Sequence, residues 1–258
     1  MPVTSFLERF GAMLLATIEE IGELIFLLGR TLMWMFRRPV RGWLILHQME
    51  FVGAGSFFIV FLTGSFTGLV LALQLSDGLS RFGAASLTGS TIAIALCREV
   101  GPVLTGLIVT GRVASAMATE LGTMRVTEQI DALATMAVSP IQYLVVPRVI
   151  AGVTMIPILT LFFNVLGMAG SYYICVDVLN IDAGVYMKRV SQYLSPRDVT
   201  IGFVKSIVFG LTITLIACHK GFRASGGARG VGQATTQAVV TNIVAIFILD
   251  YVLTALMY

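Results

Sequence analysis

The chain has 258 residues, of which 57% are hydrophobic and 12% charged, with a formal net charge of +3. A soluble core of this length cannot enclose so much apolar surface, and basic residues scattered at the ends of apolar runs do not make a nucleic-acid-binding patch. The runs reach the roughly 20 residues that cross a bilayer and lack the alternation of barrel strands, so the expected class is an all-α integral membrane protein.

From Ser5, the residues Phe6, Phe10, Met13, Leu14, Ile18, Ile21, Ile25 and Leu28 fall on one helical face, with Glu8, Arg9, Glu19, Glu20 and Glu23 displaced from it. This predicts an amphipathic helix over 5–38 that lies in the membrane interface and does not span it. Trp34, Arg37, Arg38, Arg41 and Trp43 supply interfacial anchors, and Pro39 separates this helix from the first span. A basic start followed by a short apolar core is missing, so no cleavable signal peptide is expected.

Five spans are expected, at about 51–76, 87–111, 149–176, 201–218 and 239–258. The first is free of charge as far as Ser76 and contains Gly64-x-x-x-Gly68, a spacing that lets helices approach closely. A polar turn over 77–86 ends it. The third carries Pro157, a candidate bend. Between the third and fourth lies an exposed loop over 177–200, with a short amphipathic helix expected around Tyr186 to Leu194. A basic, glycine-rich turn over 219–232 precedes the last span, and no G-x-x-x-x-G-K-[ST] phosphate loop occurs anywhere.

Eleven basic residues (Arg9, Arg30, Arg37, Arg38, Arg41, Arg112, Arg125, Arg148, Lys220, Arg223, Arg229) fall on one side of the membrane, and four (Arg81, Lys188, Arg189, Arg197) on the other. The first side is therefore read as cytoplasmic, with the N-terminus inside and, after five crossings, the C-terminus outside.

The polar interruption over 112–148 is where a partner could grip the chain. Thr127 is expected to cap a helix with Glu128, Gln129 and Asp131 near its start, while Ile130, Leu133, Ala134 and Ala137 form an apolar face and Ser139-Pro140 ends it. Two readings stay open: a helix lying on lipid headgroups, or a transverse coupling helix docked into a separate motor subunit.

Within the spans stand Arg98, Glu99, Lys205 and Asp250, each costing about 2.5–3.5 kcal/mol at a helix centre unless it faces protein or water. One reading is mutual neutralisation, Arg98 beside Glu99 and Lys205 with Asp250 or a carbonyl. The other is a cavity that handles a polar headgroup or a proton. His47 and His219 have no carboxylate at ligand spacing and are read as interface residues, and Cys97, Cys175 and Cys218 as small apolar residues without a metal site or disulfide. No Ser/His/Asp set or G-x-S-x-G context points to catalysis.

The runs Arg98-Glu99-Val100-Gly101-Pro102-Val103, Gly111-Arg112, Glu120 to Leu133 (ELGTMRVTEQIDAL) and Pro147-Arg148 are the specific ones, together with Gly230-Val231-Gly232, Ala234-Thr235-Thr236, Ala238-Val239-Val240 and Asp250 to Leu256 (DYVLTAL). In collinear order across nearly the whole chain, they resemble the MlaE family of ABC-transporter permeases. The resemblance implies a homodimer in the bacterial inner membrane that moves phospholipid between the two membranes of the envelope. It further implies a cytoplasmic ATPase like MlaF that binds the ATP, a STAS-domain partner like MlaB and a periplasmic MCE-domain ring like MlaD, with no cofactor in this chain. The coupling residues would be Glu120, Arg125, Thr127, Glu128, Gln129, Ile130, Asp131 and Leu133. The substrate pathway would hold Arg98, Glu99, Lys205 and Asp250, and the end of the first span adds Gln74, Leu75, Leu79 and Phe82 near acyl chains. The sequence departs from the family pattern at Ser139, where Asp is usual. The rivals are a proton-coupled secondary transporter using Glu99 or Asp250, which would be expected to show an inverted repeat, and a structural scaffold.

Overall fold

The computed structural model describes residues 2–37 and 41–257, and their side chains except at 2–10, 13, 14, 16 and 17. The expected break at Pro39, the placements of Arg38 and Tyr258, and the side chains of Phe6, Glu8, Arg9, Phe10, Met13 and Leu14 lie outside the described residues.

Eight helices are present among the described residues: α1 (Pro2–Met35), α2 (Gly42–Ser80), α3 (Ala85–Val126), α4 (Gln129–Thr135), α5 (Ile141–Val178), α6 (Ala183–Tyr193), α7 (Pro196–Phe222) and α8 (Gly227–Met257). Of these, α2, α3, α5, α7 and α8 are long and apolar enough to cross a membrane. The chain is an all-α multi-pass membrane protein.

The long helices overrun the bounds expected from sequence. The second continues to Val126 and the third begins at Ile141, which leaves only 127–140 as the cross-piece where 112–148 was expected to be one polar interruption. Likewise α8 starts at Gly227, so most of the expected glycine-rich turn is helix. The real turn lies at 223–226, and Gly226 and the first residue of α8, Gly227, have φ of 80° and 71°. Polar residues at these helix ends hid the continuation, because backbone hydrogen bonding carries a helix beyond its apolar stretch.

Two of the long helices widen to π geometry two residues before a proline. In α3 the widened turn is Leu96–Val100, ahead of Pro102; in α5 it is Ile141–Val145, ahead of Pro147. Proline has no N–H to continue the ordinary ladder, so a widened turn re-spaces the bonds, as when the Gly101 N–H reaches the Leu96 carbonyl. The Cys97 carbonyl packs against α7 where only Gly202 leaves room, since a Cβ there would overlap it. At Pro157, α5 runs on as helix.

Small residues set the packing. A Cβ at Gly68 would strike the Gly167 carbonyl, and Gly64 lies on the backbone of Phe163, so α2 and α5 meet along the Gly64-x-x-x-Gly68 face. Gly152 of α5 meets Gly210 of α7 in the same way. Val52, Ile92, Leu96, Ile156, Phe163, Phe209, Ile213 and Ile246 fill the core between them. Phe57, Phe58, Phe66, Phe162 and Val165 point outward, as suits a belt facing lipid. Helix α7 is the most enclosed span and α8 the least.

Helix α1 lies along the α4 end of the bundle. Ile18, Ile21, Ile25 and Phe26 are exposed, while Leu27 is buried and Glu20 and Glu23 turn toward α7. At the opposite end α6 is capped by Asp182, whose carboxylate accepts the Val185 N–H at 2.8 Å. Tyr186 pins α6 to the bundle through Ser171, at 3.0 Å, and through an edge-on contact with Tyr172. Burial pushes the Tyr186 phenol above its usual value of 10.

Candidate functional site

Two polar constructions stand out, one in the α6-side half of the spans and one at the α4 end.

The first is centred on Lys205, which is fully buried about 14 Å along α7 from its start. Its ammonium has three hydrogens and three partners: the Glu99 carboxylate at 2.5 Å, the Asp250 carboxylate at 2.9 Å and the Thr254 hydroxyl at 2.7 Å. Thr254 donates to the Asp250 carbonyl at 2.7 Å, so the last turns of α8 are tied into the network. A full set of charge-assisted bonds offsets the burial of Lys205. Glu99 keeps 39% of its side chain exposed and Asp250 21%, so the carboxylates form the accessible rim and the ammonium the hidden base.

Arg98 does not neutralise its neighbour Glu99 through an ion pair. It holds Asp198, at 2.5 Å, a residue 2% exposed in the first turn of α7. The expected exposed loop over 177–200 therefore ends sooner, at the capping box of α7: Asp198 accepts the Ser195 N–H at 2.8 Å, and Ser195 in turn caps the helix. An acid at this N-terminus also suits the helix dipole. The widened turn holding Arg98 and Glu99 brings both consecutive residues onto partners in α7. Among the described residues, Arg98, Glu99, Asp198, Lys205 and Asp250 bring three negative and two positive formal charges together.

Sequence reasoning missed Asp198 and Thr254. Ser195-x-x-Asp198 is a capping-box signal, and Thr254 lies one turn from Asp250. Gln74, Leu75, Leu79 and Phe82 sit at the same end of the molecule. Gln74 and Phe82 are exposed, Leu79 is half-buried and Leu75 packs on the core. Among the described residues, none of the four bonds to the Lys205 network.

The second construction is the cross-piece around α4. Thr127 is not its cap. It closes α3, donating its hydroxyl to the Thr123 carbonyl at 2.8 Å, and the position before α4 is Glu128, exposed and left-handed with φ of 60°. Helix α4 ends at Thr135, before Ser139-Pro140, in a second left-handed turn at Ala137 with φ of 57°. Ile130 is buried against Leu27, Leu121, Leu144 and Leu215, with Leu133 beside it, whereas Ala134 and Ala137 are exposed. The apolar face is thus already engaged by this chain itself. What α4 presents outward is Gln129, Asp131, Ala132, Thr135 and Met136.

Arg125 and Asp131 pair at 2.6 Å across the turn, both well exposed. Glu120 belongs to another contact: it meets Arg148 at 2.7 Å, and Arg148, 3% exposed, also donates to the Leu144 carbonyl. This pair fastens α3 to the start of α5 at the point from which α4 hangs.

His219 has a carboxylate partner that local spacing could not reveal. Its Nε2 lies 2.8 Å from Glu23 of α1, which also accepts from Arg223 at 2.6 Å, and Lys220 pairs with Glu20. The His219 hydrogen bond, with help from Arg223, lowers the Glu23 pKa from its usual 4.5. Among the described residues no three His, Cys, Asp or Glu side chains gather as a metal site, and the three cysteines are free and buried.

A bundle of membrane-spanning helices, with an ion network inside the spans and an exposed cross-helix at one end, defines a transporter permease subunit. Residues 45–256 match the family described as Permease MlaE. The chain is 45% identical over 215 residues to a probable ABC transporter permease protein of Rickettsia prowazekii, covering 83% of each chain. It is 41% identical over 240 residues to one from Synechocystis, covering 93% of this chain and 91% of the relative. The intermembrane phospholipid transport system permease protein MlaE of Haemophilus influenzae is 33% identical over 257 residues, 99% of this chain and 98% of that protein. The chain belongs to the MlaE family of ABC transporter permeases. It is a transport subunit, not an enzyme.

Proposed function

We propose that this permease moves phospholipids between the inner and outer membranes of a bacterial envelope, driven by ATP that a separate cytoplasmic ATPase binds and hydrolyses. The name of the Haemophilus relative supports the cargo. The observation that carries the mechanism is the separation of the two constructions: a rimmed ion network within the spans, and a rigidly backed α4 exposed at the other end.

The eleven-to-four distribution of basic residues supports placing the α4 end in the cytoplasm, with the C-terminus periplasmic. Force applied to α4 reaches the bundle through Ile130 and Leu133 and through the Glu120–Arg148 pair. Glu99 and Asp250 then act as the polar rim that a headgroup meets, while acyl chains run along apolar helix faces near Leu79 and Phe82. The excess negative charge of the network suits the ammonium of a zwitterionic headgroup.

A second copy of the chain completes the pathway. Helix α8 is the least enclosed span, and its outward face carries Gln233, Thr236 and Gln237 below Val240, Val244 and Phe247. Polar side chains on that face are better placed against a partner protomer than against lipid. A STAS-domain protein bound to the ATPase and a periplasmic MCE-domain ring complete the assembly.

The test is reconstitution in vesicles with the ATPase and ring subunits. Labelled phospholipid should move only with ATP and all subunits present, and the chain alone should hydrolyse no ATP. ATP-independent movement driven by a pH gradient would favour the proton-coupled alternative. Transfer that survives replacement of Arg98, Glu99, Lys205 and Asp250 by apolar residues would favour a scaffold.

A further inference from the structure

At the α4 end, where α1, α2 and α5 converge, a pocket is lined by Trp34, Arg37, Arg41, Tyr143, Val146 and Ile150. Its enclosed space is only about 40 Å³, so it is a shallow cleft that can take the edge of a headgroup and not a cavity that engulfs a ligand. Two cations face it, Arg37 just after the end of α1 and Arg41 just before the start of α2. The Arg37 guanidinium lies 5.0 Å from the Trp34 ring centre and that of Arg41 lies 4.8 Å from Tyr143, so each rests on an aromatic face with its N–H edge left for another partner. Gln142 fixes the near wall by donating to the Arg37 carbonyl at 2.9 Å.

What these two arginines lack is an acid. Arg125, Arg148, Lys220 and Arg223 at the same end each hold a carboxylate, whereas Arg37 and Arg41, like Arg30, Arg112 and Arg229, hold none among the described residues; Arg37 and Arg41 differ from those three in facing one pocket together. The deeper wall, formed by Val146, Pro147 and Ile150, is apolar. Phe36, Trp43 and Leu46, next in sequence to the lining residues, are strongly exposed, as suits the zone where a membrane's apolar and headgroup layers meet. Two forked cations above an apolar wall match a phosphate with a hydrocarbon tail, and basic pockets between spans on the cytoplasmic side are sites of that chemistry.

We propose that this pocket binds the phosphate of an anionic phospholipid from the adjacent leaflet, at a site separate from the transport pathway. The bound lipid bridges the end of α1 to the start of α2 and to Tyr143 at the base of α5. Val138, in the segment between α4 and α5, also lines the pocket, so occupancy bears on the root of the cross-piece.

The experiment is native mass spectrometry of the full-length chain, in detergent with equal amounts of phosphatidylglycerol and phosphatidylcholine. The wild type should retain phosphatidylglycerol preferentially. Near a surface each arginine contributes about a factor of five, so Arg37→Gln/Arg41→Gln should lower that preference about twenty-five-fold, and Arg30→Gln, outside the pocket, should leave it intact. Should the double variant fold poorly, Tyr143→Leu keeps an apolar wall but removes the face that holds Arg41, and should still lower the preference. Lipid in the transport pathway is common to all variants and cancels in the comparison. A preference unchanged in the double variant or in Tyr143→Leu, or absent in the wild type, overturns the proposal. Displacement of the lipid by millimolar inorganic phosphate would assign the site to free phosphate instead.

Discussion

The Lys205 network and the α4 cross-piece are both charged, but they hold their charges in opposite ways. Around Lys205 the ammonium is sealed and each of its hydrogens has a partner, with Asp198 nearby also buried. Around α4, Arg125 and Asp131 pair in the open, with 40% and 61% of their side chains exposed. A buried charge that loses its partner costs several kcal/mol, whereas an exposed pair contributes little. Substitutions in the first region should therefore show themselves in folding, and those in the second only when a partner is present.

The largest effect should come from Lys205→Met, which leaves Glu99 and Asp250 facing each other without the cation between them. A loss of about 3–5 kcal/mol in stability is expected, read by unfolding of the purified permease in detergent. An unchanged melting temperature would erase the distinction between the two regions. Next, Glu120→Ala strands Arg148, which is 3% exposed and keeps only the Leu144 carbonyl. Because Glu120 itself is 55% exposed, water takes over part of its role, and the loss should be about 1–2 kcal/mol.

Ala137→Gly goes the other way. Ala137 is held at φ of 57°, a conformation that disfavours any side chain, so glycine should stabilise the permease by about 1 kcal/mol. Asp131→Asn should change stability by less than about 1 kcal/mol, yet weaken co-purification of the ATPase. A variant that binds the ATPase normally would move the docking contact to Thr135 and Met136. The smallest effect concerns the latch of α1 on α7. Glu23 titrates below 4.5 in the folded chain, so its contribution is present at neutral pH and is lost as pH falls through that lowered value. A cysteine reporter at Ile21 should change its labelling rate only in that acid range and not between pH 6 and 8.

The sequence made the all-α spanning class legible because it rests on local hydropathy. It also brought Arg98, Glu99, Lys205 and Asp250 to notice, since charges inside apolar runs stand out one at a time. Their pairing was not legible in full. Arg98 was matched with the residue beside it, but the structure gives it Asp198, a hundred positions away, because the widened turn before Pro102 directs Arg98 and Glu99 to separate partners. The same limit applies to His219 and Glu23, which tertiary packing alone brings together. At α4 the apolar pattern at Ile130 and Leu133 was legible, but periodicity does not say which surface an apolar face meets. Here Ile130 and Leu133 meet the chain's own α1, α3, α5 and α7, and the outward face mixes Gln129, Asp131 and Thr135 with Ala132, Ala134 and Met136.

Two proposed assignments carry the mechanism: the Lys205 rim acts on lipid, and α4 acts on the ATPase. Glu99→Gln separates these roles, because it keeps the size of the side chain and leaves Lys205 bound to Asp250 and Thr254. The decisive measurement is lipid moved per ATP hydrolysed by the reconstituted complex carrying that variant. Transfer should fall about tenfold while ATP turnover stays within about a factor of two of wild type, a loss of about 1.4 kcal/mol confined to the lipid step. Transfer at the wild-type ratio would contradict the first assignment and remove Glu99 from the lipid path.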